Sequence, residues 1–302
     1  MVLRMHSSKY RVFELFLFFI SISIPIFYLI AHVLDFELQF WIIITHLGDK
    51  ELYMALLPII YHGISRSLGI EILMIFSTSM WLGNTFKNSL KLPRPPKELW
   101  KINAEGFGFP SGHAQGSVTF WGFISVKYRN LVTLIFTVIL VTFISFSRII
   151  LGVHYIHDVI GGIALGVAII AISIVIRRIL ENKTYRVLEI LALVYSIILL
   201  AIPLILNIST DINYIISGTI LGAALGHLEL IKISRYEGVI KLGLLGRVIG
   251  SILGLIIGGI GHLAMRHISG IYLYIGYSTL SFVMIYFVGI IVNKISRIEI
   301  QR

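Results

Sequence analysis

The chain has no cysteine, which excludes a disulfide or a thiolate-held metal. It is also short of charge. Asp, Glu, Lys and Arg make up 13% of its 302 residues, against about 25% in a soluble domain. Acidic residues are the scarcer sign, 15 against 25 basic. No internal repeat or low-complexity linker breaks the chain. What remains is apolar: 57% of residues are hydrophobic and the mean hydropathy is +0.92. One soluble core cannot hide that much apolar surface. A bilayer can, at about 20 apolar residues per crossing. The expected fold class is all-α, a polytopic transmembrane helical bundle.

Ten apolar segments are expected to span, at about 12–34, 51–64, 68–86, 112–128, 130–149, 156–177, 187–207, 212–228, 242–263 and 271–293. The first follows Arg4, Lys9 and Arg11 and exceeds the roughly 7–15 apolar residues of a signal peptide, so it reads as an uncleaved span. Phe36–His46 reads as interfacial, and Pro203 is expected to kink the seventh span. With a cytoplasmic N-terminus, 17 of the 25 Lys and Arg fall inside. The outer eight are Lys50, Lys87, Lys91, Arg94, Lys97, Lys101, Arg148 and Arg266. That asymmetry obeys the positive-inside rule. It predicts a multi-pass cell-membrane protein with both termini cytoplasmic. The net charge of +10 is distributed over span ends, so nucleic acid is not an expected partner.

One outer loop, 87–110, breaks the charge rule and needs a chemical reason. Three segments on the predicted outer face supply one. The first runs from Lys87 to Arg94-Pro95, the second is Pro110-Ser111-Gly112-His113, and the third runs from Ser147-Arg148 through His154 to Asp158. Ser111 precedes a span and suits an N-cap, beside which free amides make an anion site. His113 falls in that first turn. Arg94 and Arg148 offer planar forks for phosphate oxygens, and Lys87 adds a point charge. His154 and Asp158 are four apart, hence on one face if the sixth span starts there. A carboxylate on one ring nitrogen leaves the other unprotonated and nucleophilic.

These segments resemble the three signature motifs of the type 2 phosphatidic acid phosphatase superfamily: lysine, six residues, Arg-Pro; Pro-Ser-Gly-His; and Ser-Arg, five residues, His, three residues, Asp. Every position matches. The resemblance implies a six-span phosphatase core, assigned to 1–180, with about four further C-terminal spans in 181–302. It implies catalysis by His154 as a nucleophile forming phosphohistidine, oriented by Asp158, with His113 as general acid and then base. Lys87, Arg94, Ser111, Gly112 and Arg148 would bind the substrate phosphate. It implies no cofactor and no metal, in keeping with the lack of carboxylate or histidine clusters at ligand spacing on the outer face.

The expected activity is hydrolysis of a lipid phosphate or a polyprenyl diphosphate at the extracytoplasmic face. Rivals are a lipid phosphotransferase on the same scaffold, a sugar-phosphate phosphatase, and a transporter or scaffold with a dead site. Membrane embedding argues against the vanadate haloperoxidases, which share the motifs. His6, His32, His46, His62, His157, His227, His262 and His267 read as structural, Glu105 as shaping a turn, and Lys91, Lys97 and Lys101 as a solvated loop. Trp41, Trp81 and Trp100 are expected at the outer interface. Gly243, Gly246, Gly250, Gly254 and Gly258 repeat at spacings of three and four. Such spacing lets helices approach closely, within the chain or in a homo-oligomer.

Overall fold

The computed structural model describes residues 8–181, 183–236 and 242–301, and every regular element among them is helical. The helices are α1 Ser8–Val33, α2 Glu37–His46, α3 Lys50–Pro58, α4 Arg66–Leu90, α5 Gly112–Ser117, α6 Phe123–Tyr128, α7 Leu131–Ile150, α8 Ile156–Leu180, α9 Tyr185–Ile205, α10 Asp211–Tyr236, α11 Leu244–Ala264, α12 Ile271–Phe282 and α13 Val288–Gln301. A π-helical turn, Ile59–Ile64, continues α3. Others bridge α5 to α6 and α12 to α13.

Among the described residues, seven helical stretches are long and apolar enough to cross a membrane: Glu14–Val33, Leu131–Ile150, Ile156–Leu180, Arg186–Ile205, Asp211–Ser234, Leu244–Ala264 and Ile271–Glu299. The other three expected spans are helical but fall short of that length or that apolarity. One of them, α4, carries Arg66, Glu71, Asn84 and Lys87 among its apolar residues. Exposed Leu, Ile, Val and Phe crowd the outer faces of α1, α8, α9 and α11. In water this surface would be costly; against lipid tails it is the favourable choice. The protein is therefore a multi-pass membrane protein.

Contacts divide the chain into two compact units. One holds residues 1–53 and 86–174, the other 54–85 and 175–302. In the first, α1, α2 and α7 enclose a core of Leu17, Ile24, Phe40, Trp41, Ile44, Phe136, Leu140 and Ile144. The Trp41 ring stacks on Phe143 and meets Phe40 edge-on. The chain reverses between α6 and α7 because Arg129 adopts left-handed backbone, φ +50°. Asn130 then caps α7 by accepting from the Val132 amide at 2.7 Å, satisfying an amide that the helix start leaves unpaired.

In the second unit, α10 packs on α9 and α12, and α11 packs on the π-turn and α13. A β-carbon at Gly222 would run into the Ser278 carbonyl, and one at Gly254 would lie 2.7 Å from Pro58 Cβ. The glycine run of α11 thus meets partners within this unit. Two tryptophans depart from the interfacial expectation. Trp41 and Trp81 are buried, and the Trp81 indole donates to the Leu199 carbonyl at 2.8 Å.

Overpacking a tight helix contact costs about 1–3 kcal/mol. Gly222→Leu should therefore lower the melting midpoint of the detergent-solubilised protein, followed by intrinsic fluorescence. Gly259 sits in α11 with nothing within 4 Å of an added β-carbon. There Gly259→Ala should leave the midpoint unchanged or raise it, by about 0.5–1 kcal/mol of helix propensity.

Candidate active site

All three motifs fall in the first unit. Lys87 ends α4, and its ammonium donates to the carbonyls of Phe107 at 2.8 Å and Gly108 at 3.0 Å. Past the helix the chain runs out to Arg94, whose guanidinium is held almost wholly by main chain. Nε donates to the Gly106 carbonyl at 3.0 Å, Nη2 to that of Glu105 at 2.8 Å and Nη1 to that of Val153 at 2.8 Å. Residues 105–108 thus form a rim of carbonyls, bent at Gly106 where φ is +67°, that fixes both cations without neutralising them.

Arg94 Nη1 also approaches His154 Nε2 at 2.9 Å. An arginine can only donate, so Nε2 must present its lone pair. The proton then sits on Nδ1, which donates to Asp158 Oδ2 at 3.1 Å. His154 and Asp158 are both buried. The same carboxylate oxygen accepts the Tyr155 amide at 3.0 Å. Asp158 lies in the first turn of α8, as expected, but His154 precedes the helix. It stands instead on the tight turn 151–155. There the amides of Val153 and His154 both donate to the Arg148 carbonyl at 3.2 Å, and Gly152 takes φ +73°. A side chain at 152 would strike the Leu99 carbonyl.

Burial pushes the His154 imidazole well below its ordinary pKa, and the charges of Arg94, Lys87 and Arg148 push it further. The bond to Asp158 opposes them without winning. His154 is therefore a neutral imidazole of one defined tautomer.

Ser111 holds the expected N-cap position without the expected capping bond. It occupies the start of α5, where its carbonyl accepts the Gln115 amide at 3.0 Å. Its hydroxyl makes no capping bond, however, and is buried without a partner. The Ser111 amide donates to the Asp158 carbonyl at 2.9 Å, tying this segment to α8. A β-carbon at Gly162 would come within 2.5 Å of the Ser111 carbonyl, so that approach requires glycine. Arg148, buried near the end of α7, donates to the Thr45 hydroxyl at 2.5 Å.

Lys87, Arg94, Gly112, His113, Arg148 and His154 line one cavity of about 450 Å³, together with Glu51 and residues 103–105. A second cavity of about 600 Å³ shares that 103–105 wall and adds Lys97, Trp100 and Lys101. Among the described residues no group of three or more His, Asp or Glu is arranged to hold a metal ion. Sequence reasoning missed Asp49, whose Oδ1 lies 2.9 Å from His113 Nε2, and Thr45. Both contacts bridge long sequence separations, so no local spacing signals them.

Residues 68–182 match the family model described as the PAP2 superfamily. This segment is a PAP2 superfamily segment. The PAP2 segment covers all three motifs. Among curated relatives, phosphatidylglycerophosphatase B of Bacillus subtilis is 31% identical over 137 residues, 41% of this chain and 66% of that protein. Sphingosine-1-phosphate phosphatase 2 of Mus musculus is 28% identical over 137 residues, 42% of this chain and 39% of that one. Lipid phosphate phosphatase delta of Arabidopsis thaliana is 26% identical over 149 residues, 43% and 36% of the two chains. The chain thus spans about two fifths of the length of the mouse relative. A crystal structure of a PAP2-type phosphatidylglycerolphosphate phosphatase from Bacillus subtilis superposes with a TM-score of 0.42 at 21% identity, over 59% of this chain and 91% of that one.

The tautomer assignment is directly measurable. In two-bond proton–nitrogen spectra of histidine-labelled protein, His154 should remain neutral with its proton on Nδ1 from pH 8 down to pH 5. An exposed histidine titrates near about 6.5. Since the shift is downward, protonation should begin only at pH below that window. A His154 midpoint near the ordinary value would overturn the reading.

Proposed function

We propose that the protein is a metal-independent membrane phosphatase that hydrolyses a lipid phosphate or polyprenyl diphosphate at the extracytoplasmic face through a phosphohistidine. One observation carries the reading. His154 Nε2 carries an unprotonated lone pair beside a cavity lined by three cationic side chains and a second histidine.

The chemistry follows from that arrangement. The substrate phosphate enters the cavity, and Arg94 exchanges its contact with His154 for phosphate oxygens. His154 Nε2 attacks phosphorus in line, and the bond from phosphorus to the leaving oxygen breaks. His113 supplies the proton that the leaving oxygen needs, whether that of an alcohol or of a polyprenyl phosphate. In the second half, His113 takes a proton from water, whose oxygen attacks phosphorus as the N–P bond breaks. Inorganic phosphate leaves and both histidines return to their starting forms. At the transition state the charge of the phosphoryl group is spread over its three equatorial oxygens. Lys87, Arg94 and Arg148, fixed in advance, stabilise it there together with Ser111 and Gly112 of the second motif. Asp158 sustains the positive charge that His154 acquires.

Residues 1–180 would form the catalytic core and 181–302 an extension. The family resemblance, the relatives named for lipid phosphates and the apolar outer helix faces all favour a substrate whose tail stays in the bilayer. The cationic cavity suits a phosphate or a diphosphate headgroup alike. The outer-face assignment rests on charge distribution.

The test is phosphate release by detergent-purified protein from a C55 polyprenyl diphosphate, phosphatidic acid, phosphatidylglycerophosphate and glucose 6-phosphate, each with EDTA. Expected is EDTA-resistant release from a lipid, reduced at least about 10³-fold in His154→Ala and about 10²-fold in His113→Ala. Acid-labile phosphoprotein should appear in a rapid quench of wild type and not of His154→Ala. Release unaffected by either substitution would refute the site, and a tag at 97–104 protected on the cytoplasmic side would invert the topology.

A further inference from the structure

We propose that Asp49 is the positioning residue of the general acid, holding His113 at Nε2 so that the proton for transfer sits on Nδ1. The inference rests on the phosphatase reading above and deepens it, since Asp49 lies outside all three motifs.

The geometry is set by the turn between α2 and α3. Three successive amides, of Leu47, Gly48 and Asp49, bond back to the carbonyls of Ile44, Thr45 and His46 at 3.1, 2.9 and 3.2 Å. Gly48 allows this turn to press on the site. A β-carbon there would lie 2.9 Å from His113 Cδ2 and 2.7 Å from Ile144 Cγ2. The turn thereby brings Asp49 Oδ1 to 2.9 Å from His113 Nε2. Its other oxygen, Oδ2, lies 2.7 Å from His46 Nδ1, and the His46 side chain is largely exposed. One turn earlier on α2, Thr45 accepts from Arg148. A single five-residue stretch thus touches two of the groups that line the cavity.

Burial pushes the Asp49 carboxyl upward, but the bonds from His113 and His46 outweigh it, and its pKa lies below the ordinary value. Asp49 is therefore an acceptor only. His113 Nε2 must donate to it, which leaves Nδ1 for the substrate. The arrangement is the converse of the His154 pair, where the carboxylate takes Nδ1 and Nε2 reacts. Each histidine has its own carboxylate on the nitrogen that does not react. The carboxylate stabilises the imidazolium that precedes proton donation in the first half-reaction and forms again when water is deprotonated in the second.

The experiment exploits the leaving group. An alkyl phosphate expels an alkoxide that must be protonated, whereas p-nitrophenyl phosphate expels a stable phenolate. Asp49→Asn should lower kcat/KM, which reports only the steps up to departure of the leaving group, by about 10²-fold on dioctanoyl phosphatidic acid and by less than about threefold on p-nitrophenyl phosphate. Inhibition by vanadate, which reads the Lys87, Arg94 and Arg148 set, should be retained. Equal losses on both substrates, or loss of vanadate inhibition, would assign Asp49 a merely structural role and overturn the proposal. An undiminished rate on both would overturn it as well. Failure of the underlying reading looks different: wild type would cleave neither ester, or His154→Ala would cleave both at the wild-type rate.

Discussion

The His154 ring is gripped at both nitrogens, by Arg94 at Nε2 and by Asp158 at Nδ1. Each grip determines the other. The donor-only guanidinium requires a lone pair at Nε2, and the carboxylate requires a proton at Nδ1. Burial supplies the third constraint by keeping the ring uncharged. Much of the surrounding unit serves this ring. The 151–155 turn sets its backbone, α8 delivers Asp158 in its first turn, and the carbonyl of Val153 helps fix the guanidinium that reports on it.

Such a site must hold several like charges close together before any substrate arrives. Salt bridges would achieve that at the expense of the proposed function, because a carboxylate on each cation would cancel the field that the proposed mechanism directs at phosphate. Here Lys87 and Arg94 rest on backbone carbonyls, which orient without neutralising. Arg148 rests on a threonine hydroxyl for the same effect. Asp158 and Asp49 bond to the histidines, and no salt bridge joins Glu51 or Glu105 of the cavity wall to Lys87, Arg94 or Arg148 among the described residues. In the proposed mechanism this keeps the cations for the phosphate apart from the carboxylates that serve the proton carriers.

The membrane class was legible in the sequence, because membrane burial writes itself in long apolar runs, and the three short motif strings do come together in one unit, with six of their eight expected site residues lining one cavity. What stayed hidden depends on contacts across the fold. Asp49 and Thr45 reach His113 and Arg148 over 64 and 103 residues, and no periodicity encodes such a meeting. Ser111 reads as a helix cap by residue type, yet its hydroxyl is left without a capping bond. Trp41 and Trp81 read as interfacial by composition, but packing and a hydrogen bond to Leu199 draw them inside their units. Helix α4 shows the limit of hydropathy: polar residues along a 25-residue helix dilute its apolar signal without interrupting it.

The carbonyl rim has a consequence for how this loop can change over time. Lys87 and Arg94 recognise main-chain oxygens of residues 105–108, so the side chains of Glu105 and Phe107 make none of those bonds. Exchange of these residues leaves the cationic grip in place. Gly106 needs its left-handed backbone, and a β-carbon at Gly108 would come within 2.9 Å of Asp158 Oδ2. Insertion or deletion of one residue would move every carbonyl out of register. By these contacts the loop is free to change in side-chain chemistry but not in length, since the grip on Lys87 and Arg94 is made by main chain alone.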